Sequence, residues 1–323
     1  MCKDSSSFAI KQALRKRSDS LNLDKLGQLG TNSKVVLKNR AKAKFFTHRL
    51  AIRLALLPDT VLSKSYWRSY HCNSVLTVVD GKIKGTYCDS RWCSVCNRIR
   101  MAKMIKSYSK PLSAFADPHF VTLTIPNCIG TELAVTFRTM ISTFKRIMEA
   151  MKKRRQRGNR SYQILGIRKL ECTKNVYFNT FHPHFHLIIE GVECANEIVK
   201  EWLLRFPLAN PKAQNVKMAN KGSLIELFKY TVKPAVKNKS GRYSTDLQAL
   251  DTIYTAMIGL RLVQPIGIRC VSEDVSGIVS QSIELDDNVY IWNDLDWYGT
   301  QCGSALTGYE PTSEMINIVN SFT

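Results

Sequence analysis

The run His182-Pro183-His184-Phe185-His186-Leu187-Ile188-Ile189-Glu190 constrains this chain more than any other stretch, because it sets two imidazoles two residues apart on an otherwise apolar segment. Strand side chains alternate between faces, so His184 and His186 share one face while Phe185, Leu187 and Ile189 share the other, where a core can take them. Half of the six histidines of the chain lie between positions 182 and 186. A lone buried histidine is usually a satisfied core residue. Two on one face each need a partner once water is removed. A shared metal ion supplies one to both, and the pattern alone leaves core and metal open.

Charge narrows the field. The chain of 323 residues carries 47 basic and 26 acidic residues, a net +21. No Lys or Arg follows Arg269, whereas nine acidic residues do, from Glu273 to Glu314. The first 269 residues therefore hold 47 minus 17, or +30, an excess that calls for a polyanionic partner, most simply a nucleic acid. No apolar run is long enough to span a bilayer, and the start of the chain lacks a signal-peptide core, so a cytoplasmic protein with no membrane partner is expected.

Ten cysteines would suit disulfides in a small secreted chain, but four of them crowd between Cys72 and Cys96. In Cys88-Asp-Ser-Arg-Trp-Cys93-Ser-Val-Cys96 the last two thiols have the spacing that lets both reach one tetrahedral ion. Cys88 and Cys72 complete four ligands if the Asp80-Gly81 turn folds the chain between them into a hairpin. Structural zinc is the expectation. His71 in place of Cys72, or a redox pair at Cys93 and Cys96, are the alternatives.

Residues 1 to about 35 read as a polar basic arm, and 42–57 as a basic helix stopped by Pro58. The segment 119–126 reads as a strand with Val121, Leu123 and Ile125 on one face and Phe120, Thr122 and Thr124 on the other. A helix over 132–153 follows, its apolar stripe Leu133, Phe137, Ile141, Phe144, Ile147 and Met148, running into the basic cluster 152–157. Then come a strand over 162–173 carrying Glu171, the histidine strand, a helix over 197–206, a short strand over 214–218 and a helix over 223–232. This order is that of a split β-α-β, ferredoxin-like or RRM-like antiparallel sheet with helices on one face, an α+β fold. Its middle hairpin can bring Glu171 beside His184 and His186, and a carboxylate with two imidazoles leaves positions open on an ion, as catalysis requires. On the last helix Glu226 and Tyr230 share a face, with Lys229 and Lys233 adjacent. A surface tyrosine beside ordinary charges is the bland reading. A phenol made reactive by neighbouring cations and a polarised electrophile is the functional one.

Phe120-Val-Thr-Leu-Thr124, His184-Phe-His186 and Lys229-Tyr230 with Lys233 together resemble the three ordered motifs of HUH endonucleases. The cluster Cys88 to Cys96 is similar to the cysteine motif of replication initiators of small rolling-circle plasmids. The resemblance runs from about Cys72 to Gly267 and departs from the usual motif at Ser94, where a proline is common. It implies an HUH fold preceded by a helical and zinc-binding region. It implies a catalytic Mg2+ or Mn2+ on His184, His186 and Glu171, and structural Zn2+ on Cys72, Cys88, Cys93 and Cys96. Tyr230 would be the nucleophile that nicks one strand and keeps a 5′-phosphotyrosine link, with Lys229 and Lys233 beside it. Glu226 would activate the water that ends the cycle. Single-stranded and supercoiled origin DNA would be the substrate, and host helicase and polymerase the partners. A transposase or mobilisation relaxase of the same chemistry, a non-catalytic zinc-dependent DNA-binding regulator and an RNA-binding protein on such a sheet are the competing readings. The expected divisions are a basic arm and helix (1–60), a zinc module (61–110), an endonuclease domain (115–270) and an acidic C-terminal segment (271–323). For that last segment, protein contact, DNA mimicry and disorder are all open, and its aromatic residues argue against complete disorder.

Overall fold

The structure is a computed structural model that describes residues 33–158, 163–228, 236–237, 243–270 and 285–322. In chain order its elements are α1 (Ser33–Ala55), α2 (Ser63–Tyr70), β1 (Val75–Val79), β2 (Lys82–Gly85), α3 (Ser94–Ser113), β3 (Pro118–Thr124), α4 (Leu133–Gln156), β4 (Gly166–Asn175) and β5 (Thr180–Glu190). They continue with α5 (Val192–Arg205), β6 (Asn215–Met218), α6 (Lys221–Phe228), β7 (Val236–Lys237), β8 (Tyr243–Ser244), α7 (Leu247–Ala256), β9 (Val263–Ile266), β10 (Val289–Asn293), β11 (Asp296–Gly299) and α8 (Ser313–Asn320). The described residues fall into two units. One holds 104–158, 163–228 and 256–270, the other 33–103, 236–237, 243–255 and 285–322.

The first unit is built on an antiparallel sheet in the order β6-β3-β5-β4-β9. Its first four strands have the ferredoxin-like order that the sequence implies, and the fold is α+β. The fifth, β9, pairs with β4 through Val263↔Lys169 and Pro265↔Ile167. Pro265 has no N–H to give to a further strand, which suits an edge. Gly166 lies opposite β5 where a Cβ would come within 2.4 Å of the Ile188 carbonyl oxygen, so only glycine fits there.

Phe185, Leu187 and Ile189 of β5 are fully buried, as are Val121 and Leu123 of β3. Phe144 of α4 and Trp202 of α5 pack edge-on against Phe185, each with ring centroids 5.6 Å apart. Burial of each such side chain contributes about 1.5–3 kcal/mol. The buried line of α4 is Leu133, Phe137, Met140, Phe144, Ile147 and Met151. It takes Met140 and Met151 where the sequence pattern suggested Ile141 and Met148, which lie at the margin, because alternating steps of four and three keep one face of a helix toward a flat sheet. The expectation of helices on one face holds for α4 and α5. Helix α6 instead packs on β5 and β4 from the opposite side, its Glu226 carbonyl accepting the Lys169 ammonium at 3.3 Å. Asn220 and Ser223 cap α6 reciprocally, the Ser223 N–H donating to Asn220 Oδ1 (3.0 Å) and the Asn220 N–H to Ser223 Oγ (3.2 Å).

The second unit is organised on an antiparallel sheet, β11-β10-β1-β2. Asp80 and Gly81, both at positive φ (53° and 66°), turn β1 into β2 as a two-residue hairpin. Leu37, Ala41 and Phe45 of α1, Leu76, Ile83, Tyr290, Trp292, Trp297 and Met315 form one buried cluster. The Trp297 indole N–H donates to the Asn73 carbonyl at 2.7 Å. Residues 285–322 are therefore folded with 33–103. Two of their acidic groups serve the backbone: Asp296, 2 % exposed, accepts from the N–H groups of Trp297, Thr307 and Tyr309, and Asp287 from those of Asn288, Val289, Gln301 and Cys302. These backbone donors, that of Gln301 foremost, hold the Asp287 carboxyl at about 2. Among the described residues no helix is long and apolar enough to cross a membrane.

Candidate metal centres

The β4–β5 register places Glu171 opposite His184 and Lys169 opposite His186, and β3 places Thr122 opposite His186. Directly paired residues share a sheet face. The alternation that sends Phe185 and Leu187 to the core therefore gathers Glu171, His184 and His186 on the other side. Glu171 Oε2 lies 3.6 Å from His184 Nε2 and 3.8 Å from His186 Nε2, and one donor atom from each of the three residues lies within 4.8 Å of the others. Two ligands bound at about 2.1 Å with tetrahedral angles stand about 3.4 Å apart, so these donors are spaced nearly as ligands of one ion are.

Hydrogen bonds at the far ring atoms fix the imidazoles. His184 Nδ1 is 3.1 Å from the His182 carbonyl oxygen, which can only accept, so Nδ1 carries a proton and Nε2 is the ring atom that faces Glu171. His186 Nδ1 meets Thr122 Oγ1 at 3.2 Å, and its ring stacks on Phe120 with centroids 5.0 Å apart. Burial, outweighing the attraction of Glu171, pushes His186 down to about 4, so its ring is neutral at physiological pH. Burial raises the Glu171 carboxyl, but His184 and Lys169 overcome it and hold the group below its ordinary value. The site thus gathers two imidazoles and one carboxylate, the donor set for a divalent cation with open positions.

Sequence reasoning passed over Lys169. Its ammonium is 2.5 Å from Glu171 Oε1, and its side chain is 2 % exposed. The signal was present, since a residue two before Glu171 on the same strand must share its face. His182 stays outside the three, its ring meeting Asn127 Oδ1 at 2.8 Å and stacking on His184. Glu226 is half-buried on α6, close enough to His186 for its charge to be felt there. Lys229, Tyr230 and Lys233 lie outside the described residues.

In the second unit the hairpin returns Cys88 beside Cys72, and Cys93 and Cys96 flank the first turn of α3. All four thiols are buried, their sulfurs within 4.8 Å of one another, with Cys96 Sγ 3.6 Å from both Cys72 and Cys88. Cys72, not the exposed His71, makes the fourth corner. Hydrogen bonding among the crowded thiols pulls Cys88 down and pushes Cys93 up. Ser94 at the knuckle donates its N–H to Thr47 Oγ1 (3.0 Å), a tether that a proline could not make. The donor chemistry fits tetrahedral zinc. Lys44 is buried nearby, bonding the Tyr70 carbonyl (2.6 Å) and Ser74 Oγ (3.0 Å), and burial lowers it to about 8 against the pull of the thiols.

Residues 82–191 match the model of a family described as "Replication protein". Three curated relatives, each named "Protein rep", also match. The protein from Streptococcus pneumoniae serotype 2 (strain D39 / NCTC 7466) is 26% identical over 184 residues, 47% of this chain and 54% of its own length. That from Staphylococcus aureus is 29% identical over 131 residues, 36% of this chain and 54% of its own. That from Bacillus sp is 31% identical over 119 residues, 34% of this chain and 36% of its own. The chain thus spans about half the length of the first two relatives and about a third of the last. No solved structure matches. The stretch from β2 to the end of β5, which holds every candidate ligand except Cys72, is the part of the chain that matches this family model.

Proposed function

We propose that this protein initiates rolling-circle replication of a plasmid by nicking and rejoining one strand of origin DNA. The observation that carries the reading is the convergence of Glu171, His184 and His186 on one sheet face, within the segment that matches replication proteins. A divalent cation held there, Mg2+ or Mn2+, supplies a Lewis acid for the scissile phosphate. Tyr230 gives up its phenolic proton to solvent, its oxygen bonds to phosphorus, and the bond to the 3′ oxygen breaks. That oxygen takes a proton, leaving a 5′-phosphotyrosine and a free 3′-hydroxyl for a polymerase. Lys229 and Lys233 favour the phenolate, whose ordinary pKa near 10 would otherwise keep it protonated. A hydrogen bond from His184 and the Lys169 ammonium hold Glu171 as a carboxylate. Glu226 takes the proton of the water that later cleaves the phosphotyrosine link. Zn2+ on the four cysteines braces the second unit, and the basic excess of the chain supplies affinity for the DNA backbone.

Supercoiled plasmid carrying the origin, incubated with Mn2+, will be converted to the nicked form. His186→Ala will abolish nicking, and Glu226→Ala will still cut yet release closed circles poorly. Salt-sensitive binding with no metal-dependent nicking would replace this reading with that of a non-catalytic regulator.

A further inference from the structure

The hairpin that carries Glu171 and both histidines ends in three exposed apolar side chains in a row: Val176 (62 %), Tyr177 (84 %) and Phe178 (77 %). Nothing in the site described above uses them. The turn is built to hold them outward. Asn175 Oδ1 accepts the backbone N–H groups of Tyr177 (3.1 Å) and Phe178 (3.4 Å), and Asn179 closes the turn at φ +49°. Two adjacent rings exposed to this degree lose no water contact unless something covers them.

We propose that the Val176-Tyr177-Phe178 tip is a stacking platform for unpaired bases of the DNA strand whose phosphate reaches the Glu171, His184 and His186 face. Charge selects the occupant. Between Glu171 and Glu190 the chain has no acidic residue, and its one fixed charge there is the cation of Lys174. Such a hairpin suits a polyanion and disfavours a basic partner. Ring chemistry selects the single strand. An aromatic side chain at a protruding turn can stack only on a base already out of a duplex, and every base offers a π-face, so the contact needs no sequence preference. Geometry gives the reach. The tip begins five residues beyond Glu171, about 17 Å at strand rise, or about five stacked nucleotides at about 3.4 Å each. The tip thus holds the strand a few nucleotides from the scissile phosphate and keeps it unpaired there.

The identity of the strand rests on the function proposed above, but the test does not require cleavage. Fluorescence anisotropy would compare the full-length protein with Tyr177→Ala/Phe178→Ala on a labelled mixed-sequence 25-nucleotide single strand, on the same length of abasic backbone, and on duplex. Both rings are solvent-exposed, so the variant should keep the wild-type melting temperature, and Tyr177→Phe/Phe178→Tyr should restore binding. The expected result is a loss of about tenfold or more in affinity for the single strand, with no change on abasic backbone or duplex. Equal affinity of variant and wild type for the intact single strand would overturn the proposal. So would a loss of the same size on all three probes, or a variant whose only defect is a changed oligomeric state in sedimentation. If the ring effect appears while His186→Ala still nicks, the cleavage reading fails and the platform stands.

Discussion

The Lys169–Glu171 pair offers a prediction whose size follows from the structure. The two charges are 2.5 Å apart with side chains 2 % and 10 % exposed. At an effective dielectric of about 20 their attraction is on the order of 6–7 kcal/mol, most of it offsetting the cost of burying both. Removing one partner leaves the other charge buried with little compensation, which costs about 3–5 kcal/mol. Glu171→Gln and Lys169→Met should each destabilise the protein by that order, in urea unfolding without added divalent ions. The double variant replaces the pair with neutral groups of similar shape and should cost less than the two singles together, with a coupling of about 2 kcal/mol. Manganese separates this structural role from the proposed ligand role. At a hundredfold excess over its dissociation constant it should stabilise the wild type by about 2.7 kcal/mol and Glu171→Gln hardly at all. Singles that each cost under about 1 kcal/mol and simply add would refute the buried pair, and an undiminished manganese effect in Glu171→Gln would refute the ligand.

Three further outcomes are expected. Cys96→Ser should reduce zinc, measured by elemental analysis of purified protein, from one per chain to a trace, and should lower the melting temperature because binding energy at such a site is folding energy. His48 stacks on Tyr70 with ring centroids 4.1 Å apart, and burial, helped by Lys44 and opposed by Asp294, lowers it to about 4. The unfolded chain therefore takes up this proton first. Its contribution is complete above about pH 6.5 and is lost as pH falls toward 4, so His48→Gln should flatten the stability profile in that window and an unchanged slope would contradict it. Phe185→Ala, which empties the space between Phe144 and Trp202, should cost about 3–5 kcal/mol in urea unfolding.

Strand alternation made the sheet legible before any coordinates: one period-2 argument placed His184 and His186 opposite Phe185, and the order of elements implied the neighbours of each strand. The four thiols were legible for a similar reason, since ligand spacing and an Asp-Gly turn are local features. What escaped the sequence was non-local. Strand β9, with Pro265 in it, reads as a poor strand until β4 offers an edge. Strand β10 pairs with β1 across about two hundred residues and carries β11 on its other edge, and the acidic residues there left protein contact, DNA mimicry and disorder open until Asp287 and Asp296 were seen accepting backbone N–H groups. Lys169 was missed because a lysine in a basic chain reads as surface, and only Glu171 beside it explains its burial.

The function proposed here has the face carrying Glu171, His184 and His186 cut DNA through Tyr230. Its most direct measurement is mass spectrometry of protein incubated with manganese and an origin-derived single strand, then digested with trypsin and nuclease. A nucleotide mass should be added to the peptide containing Tyr230, and it should be absent in Tyr230→Phe and in His186→Ala. An adduct on another residue, or one that persists in Tyr230→Phe, would contradict it.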